Sequence, residues 1–399
     1  MNINRSIKLS KTSEVVLEDH MSPKFSNVVA LNARMKVMPI LSDYLRHSLN
    51  DLKRSVKTVS KQYDIIKLFV NFLMTEPAFE NNNEDEALLF ASEFYLKKYF
   101  EELSSVKELS SVTVANYDAQ LHGFYGYIAL KGFIDENPYE DGSLVGKGKS
   151  KLVSYCSFDE VFALISCTNN ERERALIQFV YDSGLRVSEV PRVSVADIKK
   201  CTEKTHESIK EDGDVFVTSD YVALDVKGSK GRIQGEYNYR TTKISIPTLN
   251  RIKKYHSSPI FKRNIRKFTS NETTPAFLNS EGSPYTASSI AKLFTRVSNR
   301  ALKRGLITRK ITPHKLRHGF AYSVLQSNDE GTQYLDRLVQ VQFMLGHRSL
   351  STTQNTYTSI PVEIYKTMTD KNGEPITRAV LMKRLVEKTK IKIKVTDVK

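Results

Sequence analysis

The chain has 399 residues, 40% of them apolar, a formal net charge of +15 and three cysteines. That length suits two or three domains with a sizeable core, and with no apolar run of 18 residues the composition is neither disordered nor membrane-spanning. Cys156, Cys167 and Cys201 are too few for a disulfide scaffold or a four-thiolate site and fit a reducing compartment, while the charge points to a polyanionic partner and alone suits equally a ribosomal-type protein, an RNA binder or a membrane-surface protein.

The first twenty residues mix Lys8 and Lys11 with Glu14, Glu18 and Asp19, which is no secretory leader. Val28–Leu31 and Val37–Ile40 fit short strands or extended arms. Helical spacing is expected from Thr58, with Ile65, Ile66, Phe69, Phe72 and Leu73 on one side and Pro77 as the boundary. Glu76, Glu80, Glu84, Asp85 and Glu86 make an acidic stretch. Further helices are predicted over Leu88–Phe100 and Val114–Leu130. A Gly- and Lys-rich stretch then reads as a linker, which places a helical domain at 41–140, after an N-terminal extension at 1–40.

Beyond the 141–155 linker, Asp159 and Glu160 suit the first turn of a helix ending near Ser166. Glu171–Tyr181 reads as a second helix with Gly184 just past its end. Val215–Val226 and Thr241–Ile246 read as strands of a small antiparallel sheet. Between Tyr237 and Asn271 there are nine Lys or Arg and no Asp or Glu, either a candidate phosphate-binding surface or a solvated loop. Ser288–Ala301 is helical. Thr312-Pro313 marks a helix start, Thr as N-cap and Pro at N1. Leu335–Leu345 is a helix closed by Gly346. Val380, Leu381 and Leu385 give an apolar face to a basic C-terminal helix, and Ile391–Val395 alternates like an edge strand.

Five pieces carry chemistry. Tyr181–Val190 (YDSGLRVSEV) puts Arg186 beyond a helix end, and Val226–Arg232 (VKGSKGR) puts Lys227 beside a Gly-rich turn. His314 and Arg317 are i,i+3 neighbours, able to set an imidazole and a bidentate guanidinium against one phosphate. His314 and His318 also have metal-ligand spacing, but Lys315 stands where a zinc-hydrolase helix has its glutamate. His347 follows Leu345-Gly346, and Tyr357 lies ten residues further on. Taken singly these are ordinary: Arg186 a surface arginine, Lys227 and Lys230 turn lysines, Tyr357 one of 19 tyrosines.

Taken together, in this order and spacing, the five pieces resemble the tyrosine recombinase (phage integrase) family, whose pattern covers about residues 155–365. The match departs at Val226, where the family usually has glycine. The resemblance implies a mainly α fold with a small antiparallel β-sheet, comprising a helical core-binding domain and a mixed α/β catalytic domain at 156–360. A C-terminal tail at 361–399 would pack on a neighbouring subunit or fold back in cis. It implies cleavage and rejoining of DNA strands through a 3′-phosphotyrosyl link, to integrate, excise or resolve DNA. Tyr357 would be the nucleophile, Arg186 and Arg317 the phosphate ligands, Lys227 (or Lys230) the acid for the 5′-oxygen. His314 would assist proton transfer or bind phosphate, and His347 would bond the phosphate. Glu189 would brace Arg186, His318 would pack nearby, and Arg232 and Arg240 would touch phosphate or be solvated. No ATP, cofactor or metal is implied. The partners implied are double-stranded DNA, further copies of the chain (two per site, four in the synapse) and DNA-bending or directionality proteins. The expected location is cytoplasmic, on the nucleoid in a bacterium. Type IB topoisomerase-like relaxation and noncatalytic sequence-specific DNA binding on the same fold stay open as alternatives.

Overall fold

A computed structural model describes residues 8–11, 28–32, 34–146, 153–207, 220–230, 237–347, 349, 353–354, 368–370 and 372–390. The chain forms two compact units, one from the described residues up to 146 and the other from residue 153 onward.

In the first unit, strands β1 (Lys8–Lys11) and β2 (Val28–Leu31) pair antiparallel, Lys8 opposite Leu31. Five helices follow: α1 (Pro39–Asn50), α2 (Val56–Leu73), α3 (Glu84–Phe90), α4 (Glu93–Ser105) and α5 (Ser111–Leu130). Ser55 and Ser110 cap α2 and α5 by accepting the N–H groups of Thr58 and Thr113. Three expectations change here. Pro39 opens a helix at N1 where an extended segment was expected, because Leu41, Tyr44 and Leu45 supply a buried face. The helix expected over Leu88–Phe100 is two: Asn83 and Glu86 form a capping box that starts the first inside the acidic stretch, and Ala91 is extended between them. The expected linker begins as folded chain, since buried Asp118 accepts the N–H groups of Leu144 and Val145 and the hydroxyl of Ser143. The core is aromatic, with Phe69, Tyr99, Phe124 and Tyr125 in mutual edge and tilted contacts.

The second unit holds α6 (Phe158–Ser166), α7 (Glu171–Ser183), α8 (Val195–Glu207), hairpin strands β3 (Tyr221–Lys230) and β4 (Tyr237–Ser245), α9 (Ile246–His256), α10 (Pro259–Ile265), α11 (Ala287–Lys303), α12 (Pro313–Leu325), α13 (Tyr334–Leu345) and α14 (Arg378–Lys388). Helix α7 is its axis, buried continuously from Ala175 to Ser183 and packed on α6, α9, α12 and β4. The hairpin pairs Tyr221 with Ser245 and Lys227 with Tyr239, and its register shifts between Lys227 and Lys230. Helices α8, α9 and α10 fall where no helix was expected. In α9 and α10 the basic residues hide the apolar periodicity, and the buried apolar residues are Leu249, Ile252, Tyr255 and Phe261. The expected strand residues 215–219 and 391–395 lie outside the described residues.

The C-terminal helix α14 packs on α9 and β4 of its own chain. Its first residue, Arg378, is fully buried. The guanidinium donates to Asp182 Oδ1 (2.7 Å) and Glu330 Oε1 (2.9 Å) and lies 4.4 Å from the Tyr221 ring centroid and 5.1 Å from that of Phe320. Asp182 in turn accepts the N–H and hydroxyl of Ser245. The end of α7, the end of β4 and the start of α14 thus share one buried ion network.

Candidate active site

Helix α7 stops at Ser183 because Gly184 adopts the left-handed conformation (φ 60°, ψ 19°). A side chain is excluded there on packing grounds too, since a Cβ would lie 2.3 Å from Phe320. The chain then turns so that Arg186 meets Glu189. The Arg186 N–H donates to Glu189 Oε2 (2.8 Å) and its Nη1 to Oε1 (3.1 Å). Glu189 has no exposed surface, and Arg240 of β4 donates to its Oε2 from the other side at 2.6 Å. Burial alone would raise the Glu189 carboxyl. Arg240, the Arg186 N–H, Arg317 and the Arg186 side chain together hold it below the ordinary carboxylate range.

Arg317 ties three segments together. Pro313 opens α12, which leaves His314 exposed on its first turn and Arg317 buried one turn later. Nη1 of Arg317 donates to the carbonyl of Gly184 (2.6 Å), two residues before Arg186. Nη2 donates to the carbonyl of Leu345 (2.7 Å), two residues before His347. Arg240 strengthens the same junction by donating to the Met344 carbonyl at 2.7 Å. Helix α13 ends there at Gly346 (φ 65°), where a Cβ would lie 2.5 Å from the Arg240 side chain. The imidazole of His347 is held by Thr353 Oγ1 at 2.8 Å from Nδ1. His318 packs edge-on against His314, ring centroids 4.4 Å apart.

The arginines set the protonation of the histidines. Partial desolvation of its ring, then Arg317 and Arg186, lowers His314 from its usual range. Burial, then Arg317, Arg186 and Arg240, takes His347 to about 4. Burial, then His314, Arg317 and His347, takes His318 to about 4. His347 and His318 are therefore neutral at pH 7, beside two guanidiniums that stay charged. Neutral imidazoles and fixed cations make a site for an anion with a proton to move. Among the described residues no group of three or more His, Cys, Asp or Glu could hold a metal ion.

Lys227 stands exposed on β3, and its backbone, not its ammonium, is fixed to the cluster. Arg192 donates to the carbonyls of Lys227 (2.9 Å), Gly228 (2.6 Å) and Ser188 (2.6 Å), so the hairpin is stapled to the Arg186 loop. A Cβ on Gly228 would lie 2.4 Å from the Asn238 carbonyl and 3.7 Å from Glu189. Arg186, His314, Arg317 and His347 are thus brought to one place, with the Lys227 backbone alongside. The side chain of Lys230, Arg232 and Tyr357 lie outside the described residues.

Arg240 needs correcting: it is neither solvated nor a free phosphate contact. It is a buried brace with 8% of its side chain exposed, held between Glu189 and Met344. Its signal in the sequence was faint, a β4 position opposite buried Val226. Arg192 and Thr353 were missed altogether, because each acts through backbone or a single side chain that no spacing rule reveals.

Residues 155–363 match the model of the phage integrase family. The tyrosine recombinase XerC of Thermodesulfovibrio yellowstonii is 28% identical over 343 residues, covering 81% of this chain and 94% of the relative. The Bacillus subtilis protein of the same name is 27% identical over 320 residues, covering 77% and 88%. Two solved structures share the fold. A lambda integrase(75–356) dimer bound to a COC′ core site has a TM-score of 0.56 at 15% identity, covering 84% of this chain and 99% of that one. XerH site-specific recombinase bound to difH substrate in a pre-cleavage complex has a TM-score of 0.51 at 20% identity, covering 82% and 88%. The shared architecture is mainly helical with a small antiparallel hairpin.

Proposed function

Because the chain belongs to the phage integrase family, we propose that it is a site-specific DNA recombinase working through a 3′-phosphotyrosyl intermediate. The observation that carries this is Arg317, whose two donated hydrogen bonds hold the Arg186 loop and the His347 turn against one another.

In this reading Tyr357 Oη attacks a DNA phosphorus, a P–O bond to tyrosine forms, and the bond to the 5′-oxygen breaks. Lys227 gives that oxygen its proton, with Lys230 the alternative donor on the same hairpin. The 5′-hydroxyl of a second duplex then attacks the phosphotyrosyl link and returns Tyr357 as a phenol, so each transesterification keeps the number of phosphoester bonds. Arg186 and Arg317 stabilise charge on the non-bridging oxygens, His347 donates a hydrogen bond to one of them, and His314 takes or relays the tyrosine proton. Glu189, Arg240 and Arg192 do no chemistry and hold the cationic groups in place.

Two copies of the chain per site and four in the synapse follow from strand exchange between two duplexes, and accessory DNA-bending or directionality proteins would choose among integration, excision and resolution. Work on DNA places the protein with the nucleoid if its host is a bacterium. None of the described helices is long and apolar enough to cross a membrane.

The test is kinetic. Arg186→Ala should bind a duplex carrying the cleavage site nearly as tightly as the wild type, yet form covalent complex about 10²–10³-fold more slowly, the loss of about 3 kcal/mol of transition-state stabilisation. Equal losses in binding and rate would assign Arg186 to ground-state binding and favour the noncatalytic reading. Relaxation of supercoils without strand transfer would favour the topoisomerase one.

A further inference from the structure

The nine cations between Tyr237 and Asn271 do not share one fate. Arg240, Lys243 and Arg251 are paired, with Glu189, Glu330 and Glu171. The other six, Lys253, Lys254, Lys262, Arg263, Arg266 and Lys267, are all exposed, and none is in an ion pair among the described residues. Among the described residues the ammonium of Lys267 meets the Glu281 carbonyl, at 3.5 Å.

Helix α9 carries these six away from the candidate active site. At its start Ser245 bonds Asp182, four residues before Arg186. One turn on, Thr248 accepts from Gln178 (2.9 Å), and Arg251 reaches Glu171 (2.7 Å) in the first turn of α7. Helix α9 therefore runs antiparallel along α7, whose 13 residues span about 20 Å. The chain enters α10 at the end of α7 opposite Arg186.

A second element adds to this surface. Lys199 and Lys200 of α8 are exposed, and Lys199 is near enough to His256 to help depress its protonation, after burial, the larger cause. The His256 ring stacks on Phe261 of α10, centroids 4.3 Å apart. Lys199 and Lys200 of α8, Lys253 and Lys254 at the end of α9, and Lys262 and Arg263 of α10 thus lie on neighbouring elements at this end of the unit, with Arg266 and Lys267 just after α10. Glu272, which lies in the field of Lys200 and Lys199, offsets one of the eight charges.

We propose that this surface is a second duplex-DNA contact, gripping the backbone about six or more base pairs from the phosphate held at Arg186 and Arg317. The figure is the length of α7 divided by the rise of about 3.4 Å per base pair. The proposal rests on the recombinase reading for where the duplex enters. Duplex DNA is the occupant because it supplies a dense line of negative charge, one every 1.7 Å or so of axis, to meet the run of cations on α10 and just after it, and because the same unit offers a phosphate site at its other end. The contact fixes register without reading sequence.

The test uses the full chain and the variant K262E/R263E/R266E/K267E, with K262Q/R263Q/R266Q/K267Q as the milder change, both checked for wild-type melting. Equilibrium binding is measured from 50 to 300 mM salt on a non-specific 40-bp duplex and on duplexes bearing the cleavage site trimmed from one end. The Glu variant should bind the long duplexes at least tenfold more weakly, with a log–log salt slope smaller by up to about 3.6, four phosphates at 0.9 each. Trimming inside about six base pairs should weaken the wild type but not the variant, and cleavage of a short nicked duplex at saturating protein should be unchanged. Wild-type affinity and slope in both variants would overturn the proposal and leave a solvated surface. So would an equal loss on short and long duplexes. Absence of cleavage by the wild type would instead strike the recombinase reading, and binding to the non-specific duplex would still be read.

Discussion

Glu189 has no solvent exposure and accepts hydrogen bonds from two arginines, one of them nearly as buried as itself. Removing one member of such a group leaves charge uncompensated in the interior. Glu189→Ala should therefore cost about 3–5 kcal/mol of unfolding free energy, read by urea titration. A cost below about 1 kcal/mol would mean that Arg240 finds solvent or another acceptor. The histidines give a second prediction at this scale. Burial is the leading cause that holds His256, His318 and His347 to about 4 in the fold, against about 6.5 in the unfolded chain. Between those values the unfolded chain binds more protons, so stability is fully present above pH 6.5 and falls as pH drops toward 4. Melting temperature followed from pH 8 to pH 4 should decline across that window. A flat profile would show that these rings titrate normally.

At the scale of elements, the active-site framework is built from helix ends. Gly184 and Gly346 stop α7 and α13 in the left-handed conformation, and Pro313 starts α12. These three boundaries were legible in the sequence because glycine and proline announce backbone geometry locally. Arg186, His314, Arg317 and His347 each sit at or near such a boundary, but their roles were expected only from the family resemblance of the five pieces taken together. What stayed hidden depends on partners far away in the chain. Helix α1 was masked by a Pro that breaks helices in their middle but opens them at N1. Helices α9 and α10 were masked by lysines and arginines set among their apolar residues. Arg378 reads as one more base in a basic tail, yet it is fully buried against Asp182 and Glu330. Arg378→Met keeps most of the volume and strands two carboxylates. It should lose about 3–5 kcal/mol and release α14 to proteolysis, measured by denaturant titration and limited digestion. Wild-type stability and digestion would show that α14 does not depend on this network.

For the molecule as a whole, a net charge of +15 and a framework of inward-facing arginines divide the basic residues into two jobs. Arg240, Arg251 and Arg378 are structural cations with carboxylate or carbonyl partners inside the second unit. The exposed lysines and arginines remain for a polyanion, so binding should weaken steeply with salt while the fold does not. In the proposed reaction a tyrosine of this chain becomes covalently joined to DNA. This step is tested most directly with nicked suicide duplexes drawn from the DNA flanking the protein's own gene, without divalent metal, and by mass spectrometry of any adduct. A 3′-phosphotyrosyl peptide containing Tyr357, absent from a Tyr357→Phe protein that still binds the duplex, is the expected result. An adduct that persists in Tyr357→Phe, or specific duplex binding with no adduct even when a synaptic partner duplex and accessory proteins are supplied, would contradict it.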